Sequence, residues 1–246
     1  TNANDGVINM GTLRVDGSIA LTTHGDGNAT AVDSGRFDFA ASTVGGDLTA
    51  TSTGGRILQS GALDIEGTSA FTTDANNKVI TLTNASNAFT GALTITTNDG
   101  SNRSNASIDG GTTALIIAAS TIDGDLTLTS GAAAGITDSG NVTVGGNLTA
   151  TTDLNSGVID MDTLRVDGTM ALTTHSGGAA TVVNDVGLIF AASTVRGALS
   201  ATATTGNITQ GSGNLAITGA ATFITVAGGS NIILDGSGNA FAAAVT

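Results

Sequence analysis

Side chains able to do acid–base, nucleophilic or metal chemistry are few in this sequence and poorly spaced for it. The 246 residues hold 2 His and no Cys or Tyr, and among the 20 acidic residues only Glu66 is a glutamate. His24 and His175 are equivalent, each following a Thr-Thr pair and preceding a loop. A catalytic or metal role would need partner side chains that repeat with them. Asp26 stands two residues after the first, but Gly177 takes its place after the second. Both His are therefore expected to cap turns or face solvent. Polysaccharide-cleaving enzymes work with paired carboxylates, whereas here Asp is scattered through turns and Phe is the only aromatic. The sequence predicts a protein that is not an enzyme, with no catalytic, cofactor-binding or metal-binding residue.

Two sets of residues could still recognise something. Asn98, Asp99, Asn102, Arg103 and Asn105 lie in residues 98–113, the most polar stretch of the chain. Thr49, Thr51, Thr94, Thr96, Thr127, Thr129, Thr149 and Thr151 recur as Thr-x-Thr. Stacked on one face they would make a flat array of hydroxyls and methyls, which resembles the ladders of ice-binding solenoids. Thr is also favoured on any exposed strand, and lateral packing of rods is the plainer use of such a face. The turns at residues 26–28, 98–102 and 235–239 offer the hard oxygens calcium takes. Their Asp, Asn and Gly are equally what turns need for backbone reasons. The expected cofactor is none, with structural calcium as the one alternative.

These residues are positioned by a phrase of alternating apolar and small polar residues, seen plainly in residues 144–152, VGGNLTATT. Strict alternation marks a strand with one buried face. The phrase recurs about ten times, its Gly falling at Gly17, Gly46, Gly67, Gly91, Gly124, Gly146, Gly168, Gly197 and Gly219, with Ala243 in the last slot. Intervals of roughly 21–33 residues suit single coils of a repeat array. A shorter strand signal precedes each phrase, so each coil holds three short strands. Residues 1–246 then form one continuous β-solenoid of about ten coils. Residues 6–24 return as residues 157–175, so a higher-order unit of six phrases and about 151 residues begins again near residue 152. The longest intervals place polar stretches at residues 25–35, 98–113 and 176–187, which read as surface excursions from one corner. Gln59, Asp138 and Gln210 share a slot where a side chain should bond turn backbone.

Composition narrows the function. With 36 Gly and no Pro, the amides are free to enter ladders, since Pro would remove a donor. A net charge of −13 argues against nucleic acid and anionic membranes as partners. No apolar run reaches the length of a membrane span. The chain opens without a Met and without polar caps, and is expected to be an excerpt of a longer chain or filament whose neighbouring coils cover its ends.

The phrases at residues 207–223, 56–71 and 42–52 (NITQGSGNLAITGAATF, RILQSGALDIEGTSAF, STVGGDLTATS) resemble the shaft repeats of the filamentous-haemagglutinin-like family of large secreted bacterial adhesins. The resemblance covers essentially the whole chain. It implies a right-handed parallel β-helix at the bacterial cell surface, with no catalytic residues carried over. The expected function is the structural shaft of an extracellular filament or adhesin, its partners further coils or subunits of the same protein. The alternative is a surface that binds a glycan or a cell-surface ligand through side loops.

Overall fold

The computed structural model describes residues 1–2, 4–98 and 104–246. A strand that buries one face is stable only where neighbours continue both its ladder and its apolar row. Here the neighbour is the equivalent strand one turn later. All pairings are parallel and no helix occurs among the described residues. The chain winds as a parallel β-solenoid of about eleven turns, one wall being an unbroken path of eleven strands from Ile8–Leu13 to Ala221–Thr225. The length of a turn, roughly 20 residues, is that of a short solenoid repeat. Ile8 lies beside Ala29, Ala29 beside Leu48, Leu48 beside Ser69, Ser69 beside Leu93, and Leu93 beside Ile117.

Each turn has two kinds of half. One is a single long strand, as in Leu48–Ser52 or Leu126–Ser130, buried at every second residue. The other is a split pair, as in Phe37–Phe39 with Ser42–Val44. Together these make the expected three short strands. A long strand has the span of one split pair: Thr169 and Met170 pair with Ile189 and Phe190, while Thr173 pairs with Thr194.

The three polar stretches read as surface excursions are not loops alone. Each contains a core strand: Ala29–Asp33, Ala106–Asp109 and Ala180–Asn184. Ala29, Ala31, Ala106, Ile108, Ala180 and Val182 are fully buried. Each inserted strand adds half a turn, so two long strands follow one another and the two walls exchange roles. The ten phrases therefore wind into about eleven turns. The 151-residue displacement, six phrases long, spans seven steps of the path, from Ile8–Leu13 to Ile159–Val166.

An exchange puts a kinked split pair on a straight long strand and would orphan a buried amide. One serine repairs each case. Ser42 Oγ accepts the amide of Leu21 at 3.0 Å and donates to Ala40 O at 2.9 Å. Ser120 does the same for Ile95 and Ala118, at 3.0 and 2.8 Å. Ser193 serves Leu172 and Ala191, both at 3.0 Å. On the opposite wall of the first and third exchanges, Asp33 Oδ2 accepts the amide of Val15 at 3.1 Å and Asn184 Oδ1 that of Val166 at 2.8 Å.

The interior is a column of Val, Ile, Leu and Ala with all 7 Phe in or against it. Phe39, Phe71 and Phe89 stack edge to face at 6.1 Å steps, and Phe190, Phe223 and Phe241 repeat the arrangement at 6.0 and 6.2 Å. The marker glycines from Gly46 onward have a steric cause, whereas a Cβ on Gly17 would meet nothing within 4 Å. A Cβ on Gly67 would come within 2.4 Å of the Gly46 carbonyl carbon, and one on Gly168 within 2.4 Å of Gly146 O. Backbones of successive turns touch at that corner.

Candidate functional site

The Thr-Thr pair that ends each phrase divides its labour by strand alternation. The second residue points inward, and its hydroxyl closes the turn that follows. Thr23 Oγ1 donates to Gly27 O at 2.7 Å, Thr97 to Ser104 O at 2.8 Å, Thr152 to Gly157 O at 2.8 Å and Thr174 to Gly178 O at 2.7 Å. All four are buried. Only the Thr residues before them face out.

Those outward Thr residues form columns, but not one array. Thr51, Thr72, Thr96, Thr121 and Thr143 lie in register on one wall, with Thr49 and Thr94 alongside and Ala70 between them. Thr129, Thr151, Thr173 and Thr194 form a column on the other wall, beside Thr127 and Thr149. The strand Ala106–Asp109 causes the division, because its half-turn moves every later phrase across. Among the described residues the Thr columns do not join into a single continuous face.

Of the residues at 98–113, Asp99, Asn102 and Arg103 lie outside the described residues. Asn98 and Asn105 are structural. Asn98 Nδ2 donates to Asp74 O at 2.7 Å, and Asn105 Oδ1 accepts the amide of Asp125 at 2.9 Å. The second contact opens a corner ladder: Asp125 Oδ1 takes the amide of Asn147 at 2.7 Å, and Asn147 Oδ1 that of Thr169 at 2.9 Å. Asn28 and Asp47 build the same ladder lower down, at 2.8 and 2.7 Å. In the turn at residues 26–28, Asn28 Oδ1 is thus occupied by an amide of the next turn. No group of three or more His, Asp or Glu able to hold a metal occurs among the described residues.

The shared polar slot behaves as expected of a corner. Gln59 and Asn87 exchange amide bonds at 2.8 and 3.0 Å, and Gln210 and Asn239 do so at 2.8 Å each way. Asp138 instead accepts the amides of Asp162 and Thr163 at 3.1 and 2.9 Å. His175 Nδ1 lies 2.8 Å from Asn155 O, bridging successive turns at the surface. The Asp109 carboxyl is displaced above its ordinary pKa. Burial raises it, the Gly111 amide partly opposes the shift, and the charge of Asp153 adds to it.

Two open grooves mark the surface near the third exchange. One, of about 370 Å³, centres on Arg165, whose guanidinium lies 3.2 Å from Asp167 and 3.9 Å from Asp185. The other, of about 680 Å³, runs along Thr151, Thr173 and Thr194 and the corner beside them. Sequence reasoning missed both, since the first joins residues from four turns and the second from three.

Residues 26–96 and 177–246 match a family model described as repeats of unknown function (DUF5649). The chain belongs to this family. Both DUF5649 matches begin in the corner before an inserted strand, at Ala29–Asp33 and Ala180–Asn184. The first ends with the long strand before the next exchange, Leu93–Thr96. The DUF5649 unit is therefore the piece between exchanges, seven half-turns long. Residues 104–175, outside both matches, have the same seven half-turns in the same order. They are a third unit in the opposite orientation. Its sequence trace is AAST, at residues 40–43, 118–121 and 191–194, once after each inserted strand. No curated protein and no solved structure matches the chain.

Proposed function

We propose that this chain is a structural shaft: a segment of a stiff rod in an extracellular bacterial filament or adhesin, extended by further coils of the same kind. The observation that carries this is the continuity of the ladder. About eleven turns share parallel bonding and one apolar column, and the exchanges, where the ladder would break, are each repaired by Ser42, Ser120 or Ser193. At a rise of ~4.8 Å per turn, such a rod is roughly 50 Å long. It resists bending because any bend must stretch hydrogen bonds on one wall. The resemblance of its phrases to haemagglutinin shafts supports placement at the cell surface. High negative charge keeps an apolar-cored rod dispersed. In this reading the protein has no catalytic role and no cofactor.

Immunogold labelling of intact cells that make the protein tests the proposal. Label along surface fibres is expected. Label confined to the cytoplasm overturns it.

A further inference from the structure

Thr151, Thr173 and Thr194 stand in register on successive turns. The residue two places after each lies at the corner: Asp153, His175 and Arg196. All six line the groove of about 680 Å³, with Ser176 and the buried Thr152 and Thr174. A column of hydroxyls thus runs beside a column that changes from carboxylate through imidazole to guanidinium, at ~4.8 Å per step.

Arg196 is unlike the paired arginines. Arg36 and Arg165 each face a carboxylate, whereas Arg196, like Arg14 and Arg56, makes no ion pair among the described residues, and of these three only Arg196 lines a groove. Its backbone is fixed, the amide donating to Thr174 Oγ1 at 2.9 Å. His175 is held at Nδ1 by Asn155 O and Ser176 Oγ, at 2.8 and 2.9 Å, and its Nε2 has no hydrogen bond among the described residues. The opposite end of the groove is set by Asp153, whose charge is felt at Asp109. The equivalent place in the first copy holds Gly45 instead of Arg196.

We propose that this groove binds an acidic saccharide, one uronate carboxylate on Arg196 and the neighbouring ring hydroxyls on Thr173, Thr151 and Asp153. A guanidinium takes a carboxylate through two parallel N–H bonds. Hydroxyls and carboxylates both accept from sugar hydroxyls. The groove has the size that small ligands occupy, on the order of 300–1,000 Å³. Net charge does not forbid an anion here, because most of the chain's acidic residues lie farther from Arg196 than the ~10 Å over which charge is felt at ordinary salt, and Asp153, two turns away, sits at the edge of that range. The proposal stands apart from the shaft reading: binding by a chain absent from surface fibres would sink that reading and leave this one.

The test is an amide NMR titration of the folded chain with trigalacturonate, with neutral galactotriose and inorganic phosphate as separate arms. Saturable shifts at Thr151, Thr173, Thr194 and Arg196 are expected with trigalacturonate only. Arg196→Gly should weaken binding at least about tenfold. That variant carries the chain's own residue from position 45, and its spectrum away from the groove reports its fold. Arg196→Gln, which keeps the stem, should lose binding alike. Absence of shifts, equal shifts with the neutral sugar, phosphate reproducing them, or undiminished binding in both variants each overturns the proposal.

Discussion

The smallest decisions in this molecule concern single polar atoms placed where the ladder cannot supply a partner. Ser120 illustrates the case. Its hydroxyl takes the amide of Ile95, buried under the kink of the split pair above. Ser120→Ala leaves that amide dry and unpaired, a loss of about 1–3 kcal/mol. Thr143→Ala, on the outer wall in the same region, should cost no more than about 0.5 kcal/mol. Urea unfolding of the two variants checks the contrast, and equal losses would remove the repair role from Ser120. Asp109 makes a different prediction. Burial, aided by Asp153, raises its pKa above the ordinary 3.8. A folded-state value above the unfolded one gives stability that is full below the unfolded pKa and lost as pH rises through the folded pKa. Ionised Asp109 therefore weakens the fold at neutral pH. Asp109→Asn keeps an oxygen for the Gly111 amide and should raise the melting temperature at neutral pH, with the gain vanishing as the medium is acidified below the ordinary carboxylate range. A gain independent of pH would place the effect elsewhere.

The strand is the scale at which the sequence could be read and also misread. Long strands such as Leu48–Ser52 and Leu148–Thr152 were legible because branched apolar residues alternate with Thr between glycine corners. The inserted strands were not. Ala29–Asp33 shows only Ala, Ala and Asp to the interior, a faint apolar signal among Gly, Asn and Asp that read as turn. Ala180–Asn184 ends on an inward Asn for the same reason as Asp33: its side chain bonds the split pair below. Missing a half-turn loses only the inserted strand itself, but it reverses the wall on which each later phrase lies. That is why the Thr columns divide and why Asn105, next to the inserted strand Ala106–Asp109, joins a corner ladder. Parity also governs deletions. Removing residues 131–152 takes out one whole turn, since Ser130 and Thr152 are register partners. Removing residues 98–113 takes out half a turn and leaves long strands facing the wrong partners. The longer deletion should keep a cooperative unfolding transition and strand-type circular dichroism, and the shorter should lose both. Retention of both after the half-turn deletion would show that the walls are interchangeable.

At the scale of the whole rod, the exchanges make a screw. Each DUF5649 unit is seven half-turns, so it ends on the wall on which it began and the next unit opens on the other. The next unit starts half a turn out of phase, and two units restore the starting wall. The long period evident in the sequence, from residues 6–24 to residues 157–175, is this double unit. The single unit was hidden by divergence, its copies marked only by the repair serines Ser42, Ser120 and Ser193 and the AAST around them. Seven turns at ~4.8 Å predict an axial repeat of about 34 Å, divided near ~17 Å by the half-turn relation. Six phrases counted as six turns would give roughly 29 Å. Tandem copies of residues 26–176 separate the two values. Each added copy should lengthen the particle by about 34 Å in small-angle scattering at constant cross-sectional radius. The junction joins Ser176 to Asp26, so the inserted strand Ala29–Asp33 follows the corner as Ala180–Asn184 does in the native chain. The smaller increment, that of six turns, would refute the half-turn accounting. A cross-section that grows with copy number would refute end-to-end winding altogether, because units that continue one ladder can lengthen a rod but cannot thicken it.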